Sequence, residues 1–189
     1  MKNTEMETKN KKNLRKIYLK TLKNVSKSTY QKWSKIISQK FNDSHYFKQN
    51  NVFAVYHALP YEVATKEIIE VLWKNLKRVC LPRINNEHLE FYFINSWNDI
   101  VFDNEFAIGQ PNLNCQKANG SEIDCMLVPL IAFDKDYYRI GYGKGFYDRY
   151  LNENKFNFNK LGLAFAMQKI PYIIDHDSWD VPLDYIFTN

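Results

Sequence analysis

Val52-Phe-Ala-Val-Tyr56, a loop from His57 to Glu62 containing Pro60, a helical stretch from Thr65 to Leu76, and Arg78-Val-Cys-Leu81 follow one another without a break. The first run is short, continuous and β-prone, as a strand buried on both faces must be. Pro60 takes the chain out of it as a loop. Thr65 is placed to cap a helix in which Ile68, Ile69, Leu72 and Leu76 share one face. Arg78-Val-Cys-Leu81 reads as the next strand, stopped by Pro82. Strand, helix and strand in this order make a βαβ unit and therefore a parallel sheet.

The same alternation continues outward. Residues 1–10 carry no apolar periodicity and read as a flexible tail, leaving 11–189 as a single domain. Leu14, Ile17, Leu22 and Val25 fall near helical spacing. Ser28 and Gln31 look like a capping box opening a second helix, with Trp33, Ile36, Ile37 and Phe41 on one face. Beyond Pro82, Leu89–Ile94 is a strand and 95–121 is polar and largely loop. Ile123–Leu130 is a strongly apolar strand, 134–145 a glycine-rich turn, and Phe146–Leu151 the start of a helix. Leu161–Ala166 and Asp184–Thr188 are the last strands. The expected fold is α/β and three-layered, with a mainly parallel central sheet flanked by helices. In such sheets ligands bind outside the carboxyl ends of the strands, so the loops 57–62 and 134–145 are the first candidates.

Composition bounds the function. The chain has 189 residues, 45% hydrophobic and 25% charged, which is the range of a globular domain able to bury a core. No apolar run is long enough to span a bilayer. The start, Met1-Lys-Asn-Thr-Glu5, is polar and of mixed charge, so no secretory leader and a cytoplasmic location are expected. Cys80, Cys115 and Cys125 are odd in number and lack CxxC spacing, which argues for a reducing compartment and against a zinc knuckle. The net charge of +5 is concentrated, since residues 1–40 hold 12 Lys or Arg and only 2 acids. That excess is either the solvated face of a helix pair or a contact for a polyanion such as ATP, a polyglutamate tail or nucleic acid. A nucleic-acid module would interleave its aromatics with cations on an exposed surface, whereas Trp33 and its neighbours fit a helix core, and no recognition motif is present.

The chemistry lies in Val128-Pro-Leu-Ile-Ala-Phe-Asp134 and Tyr138-Arg-Ile-Gly-Tyr-Gly-Lys-Gly-Phe-Tyr-Asp-Arg-Tyr-Leu151. Gly141, Gly143 and Gly145 alternate around Lys144. Glycine permits positive φ and close approach of backbone N–H groups to an anion. A helix starting just after adds a positive end, and Arg139 and Lys144 add full charges. The run is neither a Walker A loop nor a GxGxxG fingerprint, and a plain structural turn would also use such glycines. Asp148 offers a hard oxygen for Mg²⁺, or else is a first-turn acid favoured by the helix dipole.

These residues closely resemble the signature of the 5-formyltetrahydrofolate cyclo-ligases, also called methenyltetrahydrofolate synthetases. The resemblance extends to Lys11-Lys-Asn-Leu-Arg15, Tyr56-His-Ala-Leu-Pro-Tyr-Glu-Val-Ala-Thr65, Val79-Cys-Leu-Pro-Arg83, Ile108-Gly-Gln-Pro111 and Ser178-Trp-Asp-Val-Pro182, in the family's order from residue 11 to 188. It implies a compact α/β fold and an ATP- and Mg²⁺-dependent conversion of 5-formyltetrahydrofolate to 5,10-methenyltetrahydrofolate, with release of ADP and phosphate. It implies an ATP site at Lys11, Lys12, Asn13, Leu14 and Arg15, together with Arg139, Ile140, Gly141, Tyr142, Gly143, Lys144, Gly145, Phe146 and Tyr147. Within it, the side chain of Leu14 is expected in the core. The folate site would use His57, Glu62 and the loop from Tyr142 to Phe146, with Phe106 lining the pocket. Lys144 and Arg139 would serve the phosphoryl transfer, and Asp148 and Asp180 the metal, although Asp180 could equally be a turn residue before Pro182. Glu62 suits a pterin ring because a carboxylate accepts two coplanar hydrogen bonds. Two positions depart from the family: Gln110 stands where an acid is usual, and Tyr142 where a basic residue is frequent. His45, His88 and His176 have no partner pattern and are expected on the surface. The expected working form is a monomer whose partner is the reduced folate, with no nucleic-acid or membrane partner. A binding-only relative, or a paralogue acting on another formyl or carboxyl substrate, would share the same cradle.

Overall fold

A computed structural model describes residues 10–102, 108–153 and 157–189. Five α-helices are present among them: α1 (Lys11–Lys23), α2 (Lys27–Asp43), α3 (His45–Gln49), α4 (Lys66–Lys74) and α5 (Phe146–Glu153). The strands are β1 (Val52–Ala54), β2 (Arg78–Asn85), β3 (His88–Ile94), β4 (Ile100–Phe102), β5 (Gly109–Pro111), β6 (Cys125–Val128), β7 (Ala132–Phe133), β8 (Arg139–Ile140), β9 (Asn159–Ala164) and β10 (Tyr185–Thr188). Six of them form the central sheet in the order β10-β9-β6-β1-β2-β3. All neighbours in it are parallel except β2 and β3, which form an antiparallel hairpin. Two small antiparallel pairs, β4–β5 and β7–β8, lie outside it.

Period-two alternation divides each central strand between two cores. Phe53, Val79, Leu81, Leu127, Leu161 and Leu163 join Ile37, Phe41, Ile68, Ile69 and Leu72 from α2 and α4 on one face. Val52, Ala54, Cys80, Met126, Val128 and Ala164 join Tyr150 and Leu151 of α5 on the other. This gives the three layers expected of a parallel sheet. A third, smaller cluster packs Leu14 of α1 against Ala132, Ile140, Ile170 and Ile174, fixing α1 to the β7–β8 hairpin.

Several local readings change. The second helix is capped by Ser26, whose hydroxyl accepts from Thr29 N, and not by Ser28, which lies inside the first turn. Ile17 is exposed and Val25 lies beyond α1; Tyr18 and Leu19 take the inward positions between Leu14 and Leu22. Thr65 sits at the N-cap of α4 without making a capping bond: its backbone is already helical, and its hydroxyl turns to the loop, accepting from Ala58 N and donating to Tyr56 O. Leu76 is 94% exposed at φ 57 and ends α4 as the left-handed residue of a Schellman motif, with Lys77 N bonded to Leu72 O and Leu76 N to Trp73 O. Pro82 does not stop its strand. It is paired with Phe91, and its backbone faces the same way as Cys80, toward a side where β1 has already ended, so no ladder bond is lost. The apolar run 123–130 yields a shorter strand, β6, ended by Pro129, and β9 starts and stops two residues earlier than expected. The outer edge of β3 is itself covered: Phe93 N donates to Gln116 O and Ala118 N to Phe91 O, around a bridge between Tyr92 and Lys117. Of the tail, Asn10 is the N-cap of α1 and residues 1–9 lie outside the described ones, as does Phe106.

Candidate active site

A cleft of about 780 Å³ opens at the carboxyl ends of the strands, where the chain leaving β1, the end of β2, the loop after β8 and the turn 177–180 meet the start of α1. Tyr56, Leu59, Pro82, Ile84, Leu89 and Phe146 give it an apolar wall. Lys11, Arg15, Arg139, Lys144 and Arg149 make it cationic.

The glycine loop forms its floor. Gly143 and Gly145 have φ of 90° and 68°, with Lys144 between them outside the positive-φ region. Alternation of this kind turns successive N–H groups toward one side, as in anion-binding nests. Gly143 also has a steric reason: a Cβ there would lie 3.0 Å from Cζ of Arg15. Arg15 is held by its Nε–H, which donates to Gly141 O at 2.7 Å. Lys144 is exposed at the cleft. One turn before Arg15, Lys11 is paired with both Asp180 and Asp177. Burial works against its charge, but the two carboxylates outweigh burial and hold Lys11 above the ordinary lysine value. Lys12 and Asn13 are exposed on α1 and Leu14 is buried beneath it, so the side chains that reach the cleft from this segment are those of Lys11 and Arg15.

Arg139 is tied into the framework. Its side chain is only 4% exposed, and it donates to Asp148 Oδ1 at 2.9 Å and to Val181 O at 2.6 Å. Burial lowers its pKa and the Asp148 carboxylate opposes this. Asp148 Oδ1 also accepts from Val181 N, and Asp180 Oδ2 from Asp177 N. Among the described residues no three His, Cys, Asp or Glu converge as a self-sufficient metal cage. Asp148 and Asp180 are separate hard-oxygen donors facing one cleft. That set fits Mg²⁺, which is ordinarily bound by one or two carboxylates, substrate phosphates and water.

At the other end, Glu62 is 7% exposed. Its Oε2 accepts from Leu59 N at 2.7 Å and its Oε1 from the Tyr142 hydroxyl at 2.5 Å. Burial pushes the carboxyl up to about 7, against the lowering effect of those two bonds. Burial and the neighbouring carboxylate push Tyr142 well above the usual phenol range. His57 lines the same cleft with Nδ1 buried and without a partner among the described residues, its ring edge-on to Phe102 at 5.5 Å, and burial lowers its pKa. Gly109 makes room for that ring, since a Cβ there would come within 2.8 Å of it. Gln110, noted above as a departure from the family pattern, acts as an acceptor by receiving Ile84 N on Oε1 at 2.8 Å. Glu62, His57, Tyr142, Gly143, Lys144, Gly145, Phe146, Tyr147, Asp148 and Asp180 thus all line one cleft. His45, His88 and His176 are exposed and outside it. The sequence reading missed Trp179, which lines the cleft and is 61% exposed, and the carboxylate pairing of Lys11. The first had a signal in the motif Ser178-Trp-Asp-Val-Pro182; the second has none at a separation of 166 residues or more.

The 5-formyltetrahydrofolate cyclo-ligase family model matches residues 7–189. A 5-formyltetrahydrofolate cyclo-ligase of Haemophilus influenzae is 36% identical over 141 residues, covering 72% of this chain and 74% of its own. The solved 5,10-methenyltetrahydrofolate synthetase of Mycoplasma pneumoniae superposes with a TM-score of 0.77 at 29% identity, over 94% of this chain and 98% of that one. The NMR structure of the Aquifex aeolicus 5,10-methenyltetrahydrofolate synthetase gives 0.83 at 28% identity, over 94% and 89%. With a family match over nearly the whole chain, a curated relative at 36% identity and the same overall fold in two solved structures, the chain belongs to the 5-formyltetrahydrofolate cyclo-ligase family.

Proposed function

We propose that the chain closes 5-formyltetrahydrofolate to 5,10-methenyltetrahydrofolate at the expense of ATP, with Mg²⁺ on the nucleotide. The observation that carries this reading is the loop 141–145. Its Gly141 and Gly143 lie under Arg15, while its Tyr142 reaches Glu62 at 2.5 Å. On this reading the glycine loop is the phosphate cradle and Glu62 the ring-recognition carboxylate, and their contact through Tyr142 supports it because transfer of a phosphoryl group to a folate oxygen requires the two ligands side by side.

An N5-formyl group is amide-like and a poor electrophile. Its oxygen attacks the γ-phosphorus, the bond to ADP breaks, and an imidate phosphate results. The N10 lone pair then attacks the formyl carbon, the C–O bond breaks, phosphate departs, and the N10 proton is lost to solvent. Such transfer depends on position and charge neutralisation. Lys144 supplies a mobile cation at the cradle. Arg139, locked by Asp148 and Val181, supplies a fixed one and orients Asp148. Asp148 and Asp180 would hold Mg²⁺, which neutralises phosphate charge when bound. Glu62 accepts the N–H donors of the pterin once the Tyr142 hydroxyl gives way, and His57 and Phe146 wall that end. We take the working form as monomeric, cytoplasmic and without a nucleic-acid partner; no helix among the described residues is long and apolar enough to cross a membrane. Mixing protein, MgATP and 5-formyltetrahydrofolate while following the methenyl-folate absorbance tests the reading. ADP and product appearing one for one is the expected result. Binding of both ligands without turnover would leave a binding protein of the same fold.

A further inference from the structure

Trp179 is 61% exposed, whereas Trp33, Trp73 and Trp97 are packed against the core. Looseness of the chain does not explain this. The turn that carries it is bonded on both sides: Asp180 N donates to Asp177 O at 3.0 Å and Asp177 N to Asp180 Oδ2 at 2.7 Å. Asn152 Nδ2 donates to the carbonyl of Trp179 itself at 2.7 Å. Val181 N reaches Asp148 at 3.2 Å, and Val181 O accepts from Arg139 at 2.6 Å. A rigid turn thus presents an uncovered indole to the cleft.

The contacts also trace a path along the cleft from the turn that carries that indole. Asp180, next to Trp179, is paired with Lys11. Arg15, one helical turn on from Lys11, holds Gly141 and overlies Gly143, and Tyr142 between them holds Glu62. The order is Trp179, Lys11, Arg15, glycine loop, Tyr142, Glu62. The ring-recognition carboxylate is at one end, the cations are in the middle, and the bare aromatic face is at the other. A nucleoside triphosphate laid on the cations with its terminal phosphate at the glycine loop would extend its base toward the end of the cleft that Trp179 lines. Resting on the nucleotide reading above, we propose that Trp179 is the stacking platform for the nucleobase of the co-substrate.

Calorimetric titration of wild type, Trp179→Ala and Trp179→Phe with MgATP, and separately with magnesium tripolyphosphate, tests this. Base stacking on an aromatic side chain predicts a loss of roughly 5- to 150-fold in ATP affinity for the alanine variant, most of it regained with phenylalanine. Tripolyphosphate, having no base, is expected to bind all three proteins equally. Unchanged ATP affinity in Trp179→Ala, or equal loss of ATP and tripolyphosphate, overturns the assignment. Wild-type protein that binds no MgATP sinks the nucleotide reading and the assignment together, whereas wild-type binding with an indifferent variant sinks the assignment alone.

Discussion

Replacing Glu62 by Gln should make the unliganded protein's stability less dependent on pH. Glu62 is 7% exposed, and its pKa is raised from 4.5 to about 7 chiefly by burial. Between those two values the folded state holds a proton that the unfolded chain has released. Stability therefore falls as pH rises through this window, and is flat above it. A displacement of about 2.5 units corresponds to a loss of about 3 kcal/mol, or roughly 6–12 °C in Tm for a chain of this size. Glutamine cannot ionise, yet it fits the same bonds: its carbonyl can face Leu59 N and its amide can donate to the Tyr142 oxygen. Thermal unfolding of wild type and Glu62→Gln at constant ionic strength from pH 5 to 8 isolates the effect, because other titrating groups cancel in the difference. The curves should diverge from pH 5 to 7 and then run parallel, with the variant the more stable at pH 8 and impaired toward folate. Curves parallel throughout would refute the buried-carboxyl argument.

Three further outcomes are expected. Lys144→Ala, at an exposed position, should lower kcat by about 100-fold or more while leaving Tm nearly unchanged, read by the absorbance assay and by calorimetry; equal loss of both would remove Lys144 from the chemistry. Asp148→Asn should differ, because it strips the carboxylate from a guanidinium whose side chain is 4% exposed; a loss approaching 3–5 kcal/mol in urea unfolding is expected alongside lost activity. Leu76→Gly should stabilise the protein by about 1 kcal/mol, since Leu76 holds φ 57 and is 94% exposed, and a Tm increase of about 2–4 °C would register it.

The layers of the fold were legible because strands buried on both faces are apolar without interruption and the helices between them keep their period. Val52–Ala54 and Ile68, Ile69 and Leu72 behave as that logic demands. It failed where a residue's role depends on something distant. Leu76 continues the apolar face of α4 in sequence, but the helix ends at Lys74, and nothing local marks the missing glycine. Thr65 has the chemistry of a cap, but its hydroxyl oxygen accepts from Ala58 N, seven residues away, while its proton goes to Tyr56 O. Pro82 breaks a strand only if its neighbour continues beside it, which is a property of the sheet and not of the residue. The glycine loop and Glu62 were visible as motifs. Their joining through Tyr142, and the anchoring of Arg139 by Asp148 and Val181, needed the three-dimensional arrangement.

The segment 116–118 along β3 bears on how this molecule behaves when crowded. An uncovered strand edge invites pairing with another chain, the first step toward aggregates. Here Phe91 O and Phe93 N are already bonded to Ala118 N and Gln116 O. At the opposite margin β10 has only four residues, and Lys40 donates to the carbonyl of Thr188 at 2.7 Å. Neither margin offers a long, flat row of free donors and acceptors, so the sheet is poorly suited to growth by recruiting copies of itself.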